Sequence, residues 1–188
     1  MKLIPLFLFV GMSAMSGWAQ NANPESYSPE LVKKAEAGDA FAQWSLGCCY
    51  VDGRSLKMNN EVAFGWFKKS AEQGNAEAQY ELAGYYSGKQ SQLWKTYDQT
   101  RMEELTNLQK ECLLKAAEGG CLRAQNEIAH SYFYRDSKGA ARIENLEEAK
   151  KWYTRLAESG CGYDTKMVEQ CEDAIKKEQR LLKTTKPK

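Results

Sequence analysis

Histidine is nearly missing from this chain: His130 is the only one in 188 residues. No two cysteines stand in a C-x-x-C spacing. A structural zinc site or a thioredoxin-like redox centre therefore has no basis in the sequence. HExxH, GxSxG, P-loop and SxxK patterns are also lacking, and with them the common signatures of metallopeptidases, α/β-hydrolases, nucleotide hydrolases and serine β-lactamases. An excess of one charge is lacking too. The 26 basic residues face 25 acidic ones, which gives no electrostatic reason to expect nucleic acid or an anionic membrane as partner. After the first twenty residues no apolar run is long enough to cross a bilayer. The sequence calls for no cofactor and no metal.

The first twenty residues are a separate object. MKLIPLFLFVGMSAMSGWAQ carries one charge at Lys2 and then an apolar run to about Met15. Gly17 and Ala19 flank Trp18, which fits cleavage between Ala19 and Gln20. That layout predicts a secretory signal peptide over 1–19 and a secreted or periplasmic mature chain. Residues 20–28 read as a linker and 184–188 as a disordered tail. Six cysteines follow the signal: Cys48, Cys49, Cys112, Cys121, Cys161 and Cys171. In an exported chain an even count suggests disulfides, with fifteen full pairings open. Small buried thiols in helical cores are the other reading.

What the chain has in abundance is repetition. Ala-Glu-x-Gly begins at 35, 71, 117 and 157, at spacings of 36, 46 and 40 residues. Periods of this size predict stacked helical pairs. After each glycine comes a helix A. Its apolar face reads Ala42, Leu46, Gly47, Tyr50, then Ala78, Leu82, Ala83, Tyr86, then Ala124, Ile128, Ala129, Tyr132. Those spacings share one helical face. Asp39 and Asn75 suit the N-cap of the first two. Gly53 and Gly139 break the chain before helix B, in the turns VDGRSLKMNN and RDSKGAARIEN. Helix B carries Ala63, Trp66, Phe67, Ala71 in one unit and Ala149, Trp152, Tyr153, Ala157 in another. Ala-Glu-x-Gly is thus the end of helix B, and its glycine reverses the chain with a positive φ.

These residues together resemble the Sel-1-like repeat family, relatives of the tetratricopeptide repeat. The phrase is carried by Gly38, Ala42, Leu46, Gly47, Tyr50, Gly53, Ala63, Trp66 and Ala71, and repeated from Gly74 and Gly120. The resemblance covers about residues 35–160. It implies an all-α fold, a right-handed α-α superhelical solenoid. The solenoid spans 29–183, with repeats at about 35–70, 71–116 and 117–156 and a C-terminal cap over 157–183. SPELVKKAEAG, with Ser28 as N-cap and Pro29 at the first helical position, stands in for a preceding helix B. Two departures mark the second unit. Cys112 replaces the helix-B tryptophan, and a long connection, SGKQSQLWKTYDQT, precedes helix B.

In such hairpin stacks the A helices line the concave side, so the function expected is binding of a protein or peptide there. Positions that differ between copies form a stripe: Trp44, Tyr80 and Asn126; Cys48, Gly84 and His130; Val51, Ser87 and Phe133. Trp44 and Tyr80 are large for a solvent face and suit interface anchors, or fold into the core between A helices. His130 has no acid or nucleophile at a spacing that suggests a triad. Trp94 and Tyr97 stand in the long connection as a second candidate contact, since insertions in solenoids map to loops on one face. The alternative is that Trp94 staples a longer loop. Cys121 and Cys161 occupy the same place after a unit-opening glycine and are the leading disulfide pair; Cys112 reads as a buried free thiol. A cysteine-rich branch of the family is credited with β-lactamase activity. Its paired cysteines would fall at Ala71 with Gln79 and Ala117 with Gln125, and none of these is cysteine here. That hydrolase, and a cell-envelope structural adaptor, are the rival readings.

Overall fold

The computed structural model describes residues 23–93, 98–160 and 165–184. Among them are eight α-helices and no strand: α1 (Pro29–Glu36), α2 (Ala40–Asp52), α3 (Asn60–Glu72), α4 (Ala76–Leu93), α5 (Gln99–Glu118), α6 (Leu122–Phe133), α7 (Gly139–Glu158) and α8 (Thr165–Thr184). Each helix packs against its neighbours in sequence. The result is the all-α superhelical solenoid, with α2, α4 and α6 as A helices and α3, α5 and α7 as B helices.

Local chemistry explains the boundaries. Ser28 Oγ accepts from the Leu31 N–H at 3.0 Å, with Pro29 opening α1. Asp39 Oδ1 accepts from Ala42 N–H at 2.7 Å and Asn75 Oδ1 from Ala78 N–H at 2.9 Å, each satisfying an amide that has no partner within the helix. In the third unit Cys121 takes that place and makes no side-chain cap. Gly38, Gly74, Gly120 and Gly160 all have φ between 72° and 98°, the left-handed region that an L side chain enters only under strain. The reversal expected at each Ala-Glu-x-Gly is present at all four.

The core is segmented, as stacking demands. Leu31, Ala35, Ala42 and Leu46 form one cluster. Trp44, Ala63, Phe67, Ala78 and Leu82 form the next. The largest gathers Ala116, Ala117, Ile128, Ala129, Trp152, Tyr153, Leu156 and Cys171 among others. Leu46, Leu82 and Ile128, the same place in three A helices, are all buried. Small residues set how closely helices approach. A Cβ on Gly47 would lie 2.5 Å from the Phe67 ring.

Two expectations about connections need correcting. The long connection of the second unit is mostly helix. The first hairpin has helices of 13 and 13 residues; the second has 18 and 20. SGKQSQL continues α4 because nothing in it stops a helix except Gly88, and Gln90 bonds across to Thr106 on α5. Trp94 and Tyr97 lie outside the described residues. In the third unit, the expected turn RDSKGAARIEN is helical from Gly139 onward; only residues 134–138 lie between α6 and α7. Residues 23–28, expected as linker, lie against α2: Glu25 N–H donates to Ser45 Oγ at 3.0 Å, and the Cys49 thiol donates to the Glu25 carbonyl at 3.7 Å. The signal segment 1–19, residues 20–22 and the tail 185–188 lie outside the described residues.

Candidate functional site

The three A helices α2, α4 and α6 bring residues from all three repeats onto one groove of about 390 Å³, lined by Asn23, Pro24, Trp44, Cys48, Glu77, Glu81, Leu122 and Arg123. Arg123 is its hub. Its Nη2 lies 2.6 Å from Glu77 Oε2 and 2.9 Å from Glu81 Oε1. Its guanidinium also lies over the Tyr80 ring, 4.4 Å from the centroid, a cation–π contact. Arg123 is therefore held in one pose by three side chains of α4. Its pKa is raised: burial alone would lower it, but its hydrogen bond to Glu77 and the charges of Glu81 and Glu77 outweigh that.

The groove's own electrostatics are negative. Burial, and next the charge of Glu81, push the Cys48 thiol up to about 12. Cys121 is likewise pushed to about 12, by burial first and the Glu77 charge second. The Tyr80 phenol is raised by burial and by the charge of Glu127. A thiol in these surroundings stays protonated and is a poor nucleophile.

The stripe read from the sequence divides in two. Trp44 is not an exposed anchor: it is only 2% accessible. It packs with Phe41, at 5.3 Å between centroids, and with Phe67, Ala78 and Leu82. The small Ala78 lets α4 close over the indole, which puts Trp44 in the core and leaves it as one wall of the groove. Its Nε1–H has no hydrogen-bond partner in the described structure. Tyr80 is half-buried on the same face. Cys48 is half-buried, Gly84 and Val51 are exposed and Ser87 is half-buried. At the far end of the stripe, His130 is exposed and its ring lies 5.6 Å from Tyr134 and 5.9 Å from Tyr153. Phe133 is half-buried, 4.9 Å from Tyr134, with the Arg142 guanidinium 5.7 Å from its centroid. Asn126 is half-buried and its Oδ1 has no partner.

Cys121, expected in a bridge to Cys161, carries a free, buried thiol among the described residues. Cys161 lies outside the described residues. Cys112 is free, as expected, but half-buried rather than fully buried. Among the described residues no cluster of His, Cys, Asp and Glu could hold a metal ion, and no helix is long and apolar enough to cross a membrane.

Sequence reading missed Glu77, Glu81 and Arg123. A signal was present. Glu77 and Arg123 stand three residues after Gly74 and Gly120, the same place in consecutive A helices, with opposite charge. The stripe was drawn from aromatic size and overlooked charge.

Residues 40–75, 76–92 and 122–161 match the Sel1 repeat. The middle match covers α4 to one residue short of its end, and the stretch holding Cys112 falls outside it. A sel1-like repeat-containing protein of Acanthamoeba polyphaga mimivirus is 31% identical over 137 residues, which is 73% of this chain and 22% of that protein. The chain thus spans less than a quarter of the length of that viral relative. The crystal structure of a Sel1 repeat protein from Oxalobacter formigenes is 25% identical, with a TM-score of 0.53, covering 77% of this chain and 96% of that one.

Proposed function

The chain belongs to the Sel1 repeat family, and from that premise we propose that it is an exported scaffold that binds a protein or peptide through the concave face of its A helices. The fold is of the kind that mediates protein interaction. The observation that carries the finer reading is the groove itself. It draws residues from α2, α4 and α6 and is held by a fixed Arg123. A rigid surface built from successive repeats binds by pre-organisation, because little freedom is lost on docking. No step of chemistry is assigned. The mechanism is passive presentation of side chains, with Tyr80 beneath Arg123 and the Phe133–His130 aromatic group of α6 as contacts.

The charge, apolar run and small residues of 1–19, read as an export signal, support placement outside the cytoplasm. The test is capture from the envelope fraction of the source cell by the immobilised mature chain, compared with a Tyr80→Ala/His130→Ala variant of equal thermal stability. A specific partner retained by the first and lost by the second is the expected result. Equal capture by both moves the contact surface off this face.

A further inference from the structure

The groove has a charge that its own residues do not balance. Two carboxylates, Glu77 and Glu81, share one guanidinium, Arg123, so one negative charge is left over. Both carboxylates are largely covered, with 17% and 26% of their side chains accessible. A charge so placed is poorly hydrated, and a counter-charge brought to it is screened less than one on an open surface. The rise at the Cys48 thiol points the same way, because there the charge of Glu81 outweighs that of Arg123.

The neighbouring surface already holds a peptide backbone. Residues 23–28 run beside α2 without regular secondary structure. Ser45 and Cys49, one helical turn apart, take the N–H and the carbonyl of the same residue, Glu25. Both are side chains reading main-chain groups, which needs an extended chain and is indifferent to its sequence. Asn23 and Pro24 then form the edge of the groove. A peptide backbone fits against this face, and Asn23 and Pro24 share the groove with Trp44 and the carboxylates of Glu77 and Glu81.

The geometry points to a partner of stated chemistry: an extended peptide segment whose lysine or arginine side chain enters the groove between Trp44 and the Glu77–Glu81 pair. This rests on the scaffold reading above and names the class of segment that the A-helix face takes. The cationic head meets the carboxylate oxygens of Glu77 and Glu81 not engaged by Arg123, and its methylene stem lies along the groove. An acidic segment would meet like charge and be rejected, so the groove selects as well as binds.

The test uses the full mature chain and two fluorescein-labelled peptides, Gly-Ser-Lys-Pro-Lys-Ser and Gly-Ser-Glu-Pro-Glu-Ser, the prolines keeping both extended. Anisotropy reports affinity, and the indole N–H resonance of Trp44, assigned with a Trp44→Phe variant, reports location. At low salt the lysine peptide should bind about tenfold or more tightly than its glutamate counterpart, with the preference shrinking as salt rises. The Trp44 resonance should shift, and a Glu77→Gln/Glu81→Gln variant should lose the preference. Equal binding of both peptides with a shifted Trp44 signal overturns the charge selection while leaving the scaffold reading intact. Undiminished preference in the double variant, or a still Trp44 resonance, places the site elsewhere and overturns the inference. Failure of the lysine peptide to bind at all overturns it too, and capture of a protein partner through Tyr80 and His130 then judges the scaffold reading separately.

Discussion

The side-chain amide of Gln125 donates to the carbonyl of Ala117, 2.9 Å away, and clasps the turn from α5 into α6. Gln43 does the same to Ala35 at 3.1 Å and Gln79 to Ala71 at 3.4 Å. Each carbonyl lies in the last turn of the preceding helix, where it also accepts from the N–H of the glycine three residues on. Two of these pairs, Ala117 with Gln125 and Ala71 with Gln79, are the places at which the resemblance puts paired cysteines in the cysteine-rich branch; here the same places are joined by a hydrogen bond.

The clasp should therefore be measurable. Gln125→Ala removes one donor from the Ala117 carbonyl, which keeps the Gly120 N–H at 3.2 Å, so the expected loss is that of a single hydrogen bond, about 0.5–1.5 kcal/mol. The Oε1 of Gln125 has no partner, which offsets part of the gain and puts the expected loss at the lower end. Gln79→Ala should cost less, because its bond is longer and its side chain is half-exposed. Urea midpoints for the two variants decide this. Equal losses at both sites would mean that the bond is not the cause.

Gly47 is a closer fit than its place in the repeat requires. Ala83 and Ala129 stand at the same position in the other two A helices, so a methyl group is tolerated there in general. In the first unit the Phe67 ring fills that space, its Cε1 and Cδ1 at 2.5 and 2.7 Å from where a Cβ would sit. Gly47→Ala should cost about 1–3 kcal/mol through overpacking. Adding Phe67→Leu should recover part of that loss. A second substitution that only adds to the first would show that the ring and the methyl do not collide.

How much of this was legible follows from what each signal depends on. The repeat phrase encodes local geometry: a glycine at positive φ, a capping side chain and an apolar stripe at helical spacing. Gly38, Gly74, Gly120 and Gly160, and the buried Leu46, Leu82 and Ile128, came directly from it. Helix length did not. SGKQSQL looks like a connection because it is polar, yet polar residues without a strong stop signal extend an existing helix readily, and α4 runs to Leu93. The fate of Trp44 was hidden for a different reason. Its burial depends on α4 having Ala78 opposite, a relation between repeats that a single-helix stripe does not reveal. The groove depends on one such relation again, Glu77 against Arg123.

Leu82 tests the register on which these comparisons rest. It is 6% accessible and packs with Trp44, Ala63, Phe67 and Ala78, at the centre of the smaller of the two clusters beneath the groove. Leu82→Ala should lower stability by about 2–5 kcal/mol. The neighbouring Glu81→Gln, on the groove wall, should cost far less, because its ion pair with Arg123 is partly exposed. An unchanged denaturation midpoint for Leu82→Ala would contradict the assignment of A-helix faces throughout the solenoid.

The buried thiols give the fold an alkaline limit. Cys48 and Cys121 ionise near 12 in the folded chain, chiefly because burial penalises the thiolate, and Cys171 near 11 for the same reason. In the unfolded chain the same groups ionise near 9. Below pH 9 both states keep the proton and the thiols contribute nothing to pH dependence. Between 9 and the folded values the unfolded state releases protons that the folded state retains, so rising pH favours unfolding, by about tenfold in the equilibrium per pH unit for each such thiol. Lysine titration adds its own slope above about pH 10, so the clean window is pH 9–10. Urea midpoints at pH 8, 9 and 10 should fall for the wild-type chain. They should fall less steeply for Cys48→Ala/Cys121→Ala. At pH 8 iodoacetamide should leave both residues unlabelled until urea unfolds the chain. If the two proteins show parallel midpoints from pH 8 to 10, the thiols do not set the limit, and the negative field assigned to the groove from Cys48 loses that support.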